Sequence, residues 1–277
     1  MTHEVGPFAC AAVEICAAGQ SRYKAEALVK RIAKSFALAV ALCAAALIAP
    51  AKASAKPATA IQDPLTLEVP GFPDAYYYKP HSKAQKPVLM YLHGRGGNPF
   101  EDCRKWARVA LQFGWVVCPA GPVDRHNGEH EWANSADAGI STTNAVLVAL
   151  RQKYHGRVRT KGNVLIGFSE GAFVAQQVGL REPDKWSKWL ILAANDHYWF
   201  GDAPTLLAQN RKKIRRVYLF TGEFDMVAQN TVRAGEMLKK ENIPVKVQLF
   251  PGLGHDVPGD RMVANYRRPL RWLVAAK

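Results

Sequence analysis

The run from Asn163 to Leu180, Asn-Val-Leu-Ile-Gly-Phe-Ser169-Glu-Gly-Ala-Phe-Val-Ala-Gln-Gln-Val-Gly-Leu, restricts the fold more than any other part of the chain. Residues up to Phe168 form a short apolar run suited to a central parallel strand, and residues from Glu170 carry the apolar spacing of a packed helix. A strand passing directly into a helix must kink at the joint, and the joint is Ser169. Gly167 and Gly171 remove side chains that would collide in so tight a turn. The kink raises the serine hydroxyl to the carboxyl end of the sheet, making Ser169 a candidate nucleophile. Gly-x-Ser-x-Gly alone recurs by chance; the strand-turn-helix setting gives it meaning.

A serine hydroxyl attacks poorly until a base takes its proton, and the base works best when a carboxylate fixes its tautomer. Both partners follow in order. Arg216-Val-Tyr-Leu-Phe-Thr221 reads as a strand, with Asp225 in the loop after it. Val245-Lys-Val-Gln-Leu-Phe250 alternates like another strand, with His255 in the glycine- and proline-rich loop that follows. Both groups thus fall on loops at strand ends, where an open α/β sheet gathers its functional side chains. Asp225 could instead cap the next helix; Glu223 and Asp196 are weaker substitutes for it.

An oxyanion formed by attack on an acyl carbon needs two donors. The backbone N–H of Glu170 supplies one, at a helix N-terminus. The other is expected from the loop His93-Gly-Arg95-Gly96-Gly97 after the strand Pro87–Leu92, with the Arg95 N–H as donor and Gly96 as the neighbouring alternative.

On these residues the chain resembles the α/β-hydrolases, and within them the small carboxylesterase, dienelactone-hydrolase and polyhydroxyalkanoate-depolymerase-like branch. His93-Gly-Arg-Gly-Gly, Gly167-Phe-Ser-Glu-Gly, Gly222-x-x-Asp225-x-Val227 and Gly254-His255 match that pattern in order, from about Leu65 to Ala276. The resemblance implies Ser169 as nucleophile, Asp225 as acid and His255 as base. It also implies one α/β domain with a mostly parallel sheet, helices on both faces and no large cap domain. No cofactor or metal is expected.

The other histidines have plainer readings. His93 is expected to hold the oxyanion loop. His126 and His130, with Glu129 and Glu131, form no H-E-x-x-H or Cys/His pattern and read as a solvated loop. Gly94-x-Gly96 lacks the third glycine of a dinucleotide-binding turn. The long connection Pro119–Ala138 exceeds what packing requires and is expected to overhang the site. Trp132, Phe168 and Trp199 are the candidate substrate contacts; a packed tryptophan on a surface loop is the plainer reading for Trp132.

The first residues do not belong to this domain. A basic stretch from Lys24 to Lys34, a fourteen-residue apolar run from Phe36 to Ala49 and Ala53-Ser-Ala55 have the order of a secretory signal peptide. The apolar run falls short of the roughly 20 residues a membrane-spanning helix needs. Cleavage is expected after Ala55, with translation starting beyond about residue 20, a linker over 56–64 and the folded domain over 65–277. The protein is then periplasmic or secreted. Two cysteines, Cys103 and Cys118, remain after cleavage, and an exported pair suggests a disulfide.

At 277 residues and 48% hydrophobic the chain can bury one substantial core. Its net charge of +14 suggests weak attraction to an anionic cell envelope. No aromatic-interleaved basic motif marks a specific nucleic-acid partner. The leading expectation is an exported serine hydrolase acting on a small or polymeric ester. The alternatives are a serine peptidase of the same fold and a non-catalytic envelope-binding protein on the same scaffold.

Overall fold

A computed structural model describes residues 61–193 and 201–275. Eight strands form one sheet in the order β1-β2-β4-β3-β7-β8-β9-β10: β1 (Leu65–Leu67), β2 (Ala75–Tyr78), β3 (Val88–Leu92), β4 (Trp115–Pro119), β7 (Val164–Phe168), β8 (Lys188–Leu192), β9 (Arg216–Gly222) and β10 (Val245–Phe250). β2 pairs antiparallel with both β1 and β4, and every other pairing in this sheet is parallel. A separate two-stranded hairpin, β5 (Val123–Asp124) and β6 (His130–Glu131), lies within the long connection. Among the described residues six α-helices accompany the sheet: α1 (Pro99–Ala110), α2 (Ala136–Lys153), α3 (Glu170–Arg181), α4 (Ala203–Asn210), α5 (Ala228–Lys240) and α6 (Met262–Val274).

The two-residue period of a strand explains the layering. In β3, Val88, Met90 and Leu92 join one buried cluster, while Leu89 and Tyr91 join another. The first cluster is closed by α2, α3, α4 and α5, through Leu147, Val174, Leu207 and Leu238 among others. The second is closed by α1 and α6, through Trp106, Tyr266 and Leu270. Strands apolar on both sides require this double cover, since either face left open would expose a row of aliphatic side chains.

Helix starts follow local chemistry. Asn98 caps α1 by accepting from the N–H groups of Phe100 and Glu101, with Pro99 in the first turn. α2 starts inside the connection expected over Pro119–Ala138. Ser135 accepts the Ala138 N–H at 3.1 Å and starts the helix at Ala136, which shortens the free connection.

The expected Cys103–Cys118 disulfide is corrected: both are buried free thiols. They fill the layer between α1 and β4 as small apolar side chains, and the Cys103 thiol donates to the Tyr76 carbonyl at 3.4 Å. Burial, with Cys103 beside it, pushes the Cys118 thiol well above its ordinary pKa. No helix among the described residues is long and apolar enough to cross a membrane. The signal-peptide and linker expectations fall within residues 1–64, of which 1–60 lie outside the described residues.

Candidate active site

The carboxyl ends of β7, β9 and β10 bring three side chains into one hydrogen-bonded chain. Ser169 follows β7 directly, Asp225 lies just beyond β9, and His255 lies in the loop after β10. His255 Nε2 stands 3.0 Å from Ser169 Oγ, and His255 Nδ1 stands 2.9 Å from Asp225 Oδ2. Asp225 accepts from Nδ1–H, which leaves Nε2 with a lone pair facing the serine hydroxyl. The carboxylate is itself fixed. It is buried, accepts the Thr221 hydroxyl at 2.9 Å on Oδ2 and the Val227 N–H at 3.0 Å on Oδ1.

Ser169 has φ 53° and ψ −117°, a conformation that costs a non-glycine residue on the order of 1–3 kcal/mol. It occupies the N-cap position of α3, yet its side chain makes no capping bond. The hydroxyl is therefore available to His255. The flanking glycines serve close approach: a Cβ on Gly171 would collide with the Leu92 carbonyl, and one on Gly167 with the Gly171 carbonyl. Those contacts let α3 start immediately against β3.

Arg95 and Glu170 border the cleft above Ser169. The cleft has a volume of about 300 Å³, and Asn134, Ala193 and Val227 complete its wall with His255. The Gly96 alternative is disfavoured because its N–H already donates to the His130 carbonyl at 3.0 Å. Among the described residues, the N–H groups of Arg95 and Glu170 have no protein acceptor.

No protein-family model and no curated protein sequence matches this chain. Solved structures do. A fluorophosphonate-binding serine hydrolase F (FphF) of Staphylococcus aureus superposes with a TM-score of 0.57 at 18% identity, covering 76% of this chain and 97% of that one. A thermostable esterase of Pseudomonas putida gives 0.56 at 16%, covering 78% and 82%. An S-formylglutathione hydrolase of Staphylococcus aureus gives 0.55 at 19%, covering 73% and 90%. The chain has the α/β-hydrolase fold.

Within this α/β-hydrolase fold His93 performs the expected holding role. Its Nε2 accepts the Gly121 N–H at 3.0 Å, so Nδ1 carries the proton and donates to the Gly94 carbonyl at 2.8 Å. Burial lowers its pKa to about 4 and keeps it neutral.

Trp132 is not a substrate contact. It is fully buried, its indole N–H donates to the His93 carbonyl at 3.0 Å, and its ring lies against the His93 imidazole at 5.2 Å. The indole gains more from filling the space under the loop that follows β3 than from facing solvent. Phe168 packs on the His255 ring at 5.0 Å and borders a smaller cleft of about 150 Å³ that shares Arg95 with the first. Trp199, with Asp196 and His197, lies outside the described residues.

The Glu170 side chain has a part that the motif did not announce. Its buried carboxylate accepts the N–H groups of Trp132 and Asn134, each at 3.0 Å, and the Arg95 guanidinium at 3.3 Å. It thereby ties the start of α3 to the hairpin connection and to the loop carrying Arg95. His130 and Glu131 are engaged elsewhere. His130 Nδ1 bonds the Gly121 carbonyl at 3.0 Å, and Glu131 pairs with Arg125 at 2.6 Å. Among the described residues no group of three or more His, Cys, Asp or Glu side chains is placed to hold a metal ion.

Proposed function

We propose that the protein is a serine hydrolase cleaving carboxylic esters through an acyl-enzyme. The observation that carries this reading is the unbroken chain Ser169 Oγ, His255, Asp225, at 3.0 and 2.9 Å, beneath an open cleft. His255 Nε2 takes the hydroxyl proton as Ser169 attacks the ester carbonyl. The oxyanion is received by the backbone N–H groups of Arg95 and Glu170. His255 then gives its proton to the departing alcohol, and the same imidazole activates the water that releases the acid. Asp225 holds the tautomer and supports the imidazolium. The substrate is a small or polymeric ester. Similar structures described as an esterase and as a fluorophosphonate-binding serine hydrolase support the reading at the level of chemistry.

Ser169→Ala should lower kcat on a chromogenic ester by at least about 10⁴-fold with the fold intact. Wild-type-like turnover by that variant refutes the assignment. Export belongs to the same proposal and rests on the basic, apolar and small-residue order of residues 24–55. N-terminal sequencing of extracytoplasmic protein should begin at Lys56; an intact leader on cytosolic protein contradicts it.

A further inference from the structure

The end of the sheet opposite Ser169 carries a second cleft, built by the loops that lead into three neighbouring parallel strands. Lys161 and Gly162 precede β7, Asp184 to Ser187 precede β8, and Lys212 to Arg215 precede β9. Backbone bonds fasten these loops to one another. The Gly162 and Asn163 N–H groups donate to the carbonyls of Asp184 and Lys185 at 3.2 and 2.9 Å, and the Arg215 N–H donates to Ser187 at 2.7 Å. The cleft between them is about 310 Å³, with Pro183 and Ser187 as its buried floor.

Its border is strongly cationic. Lys161, Lys212, Lys213 and Arg215 face a single carboxylate, Asp184, and that carboxylate is already paired with Lys213 at 3.0 Å. Among the described residues Lys161, Lys212 and Arg215 have no carboxylate partner. The surroundings add to the charge rather than cancel it. Burial first, and then Arg159, Arg216 and Arg215, lower the pKa of the neighbouring Lys188. Gathering like charges on fastened loops costs stability unless an anion relieves the repulsion.

We propose that this cleft binds a ligand carrying several adjacent phosphate-type oxyanions, held by Lys161, Lys212 and Arg215. A single monoanion leaves two of the three cations uncompensated, whereas a chain of phosphates can meet all three, with bidentate bonds from Arg215. Lipid insertion is disfavoured because the large exposed apolar side chains, such as Phe224, Met226 and Val148, lie outside these loops. β7 alone is five residues long, so the cleft stands roughly 17 Å or more from Ser169. The two sites can be loaded independently.

Calorimetric titration of the full chain with inorganic tripolyphosphate at about 0.15 M ionic strength, where long-range attraction is screened, tests the proposal. The triple variant Lys161→Gln, Lys212→Gln, Arg215→Gln should bind at least about tenfold more weakly than wild type, with thermal unfolding of the free protein no lower than wild type. A control variant losing the same charge elsewhere, Lys79→Gln, Arg267→Gln, Arg268→Gln, should bind like wild type. Long-chain polyphosphate distinguishes the source. Tighter site-dependent binding of the polymer identifies a polymeric ligand, and equal binding per phosphate identifies a small one; both support the site. Equal losses in the two triple variants would reduce the effect to net charge and overturn the proposal. So would no binding of tripolyphosphate by wild type, or binding only to anionic lipid vesicles.

Discussion

A buried carboxylate needs its lone pairs answered, and Glu170 receives two backbone N–H groups and a guanidinium. Removing it leaves the Trp132 and Asn134 donors without an acceptor, so Glu170→Ala should cost about 2–4 kcal/mol in urea unfolding. Glu170→Gln, which keeps one acceptor oxygen, should cost less. His93 makes a pH prediction at the same scale. Its folded pKa of about 4 lies below the ordinary 6.5, so below pH 6.5 the unfolded chain binds a proton that the folded chain refuses. Stability from this group is complete above pH 6.5 and falls by about 3 kcal/mol as pH drops to 4. Denaturant midpoints across that range check it. A midpoint unchanged between pH 6.5 and 4.5 in wild type, or the same fall in a folded His93→Gln variant, contradicts it.

At the scale of elements, the hairpin β5–β6 acts as a strap rather than an overhang. The His130 N–H donates to the Gly97 carbonyl at 2.9 Å, the Gly96 N–H returns a bond to His130, and Trp132 inserts beneath. Trp132→Phe should therefore cost about 1–2 kcal/mol of stability by leaving the His93 carbonyl unpaired, without changing preference among acyl groups. An altered acyl-chain profile at wild-type stability would show that the indole does meet substrate. What was legible in the sequence divides along the same line. The strand–helix joint at Ser169 and the loops carrying Asp225 and His255 announce themselves through local period and glycine placement, because each is fixed by its own neighbours in sequence. The Glu170 carboxylate, the choice between the two readings of Trp132 and the start of α2 at Ala136 were not legible, because they depend on partners up to 39 residues apart or on a single capping serine. The cysteine pair misleads for a related reason: spacing and an exported setting suggest a bridge, while the apolar layer between α1 and β4 accommodates two thiols.

For the whole molecule, the cleft over Ser169 is open among the described residues, with Arg95, Asn134, Ala193, Val227 and His255 around it. Each added methylene contributes about 0.8 kcal/mol only while it is buried. In a p-nitrophenyl ester series kcat/KM should thus level off after a few acyl carbons; a continued climb through long chains contradicts an open cleft. The most direct test of the central claim is fluorophosphonate labelling read by intact mass and peptide mapping. The account predicts one adduct per chain, on Ser169, absent in Ser169→Ala and much slower to form in His255→Ala. An adduct on another residue, or unlabelled protein that still hydrolyses esters, would contradict it.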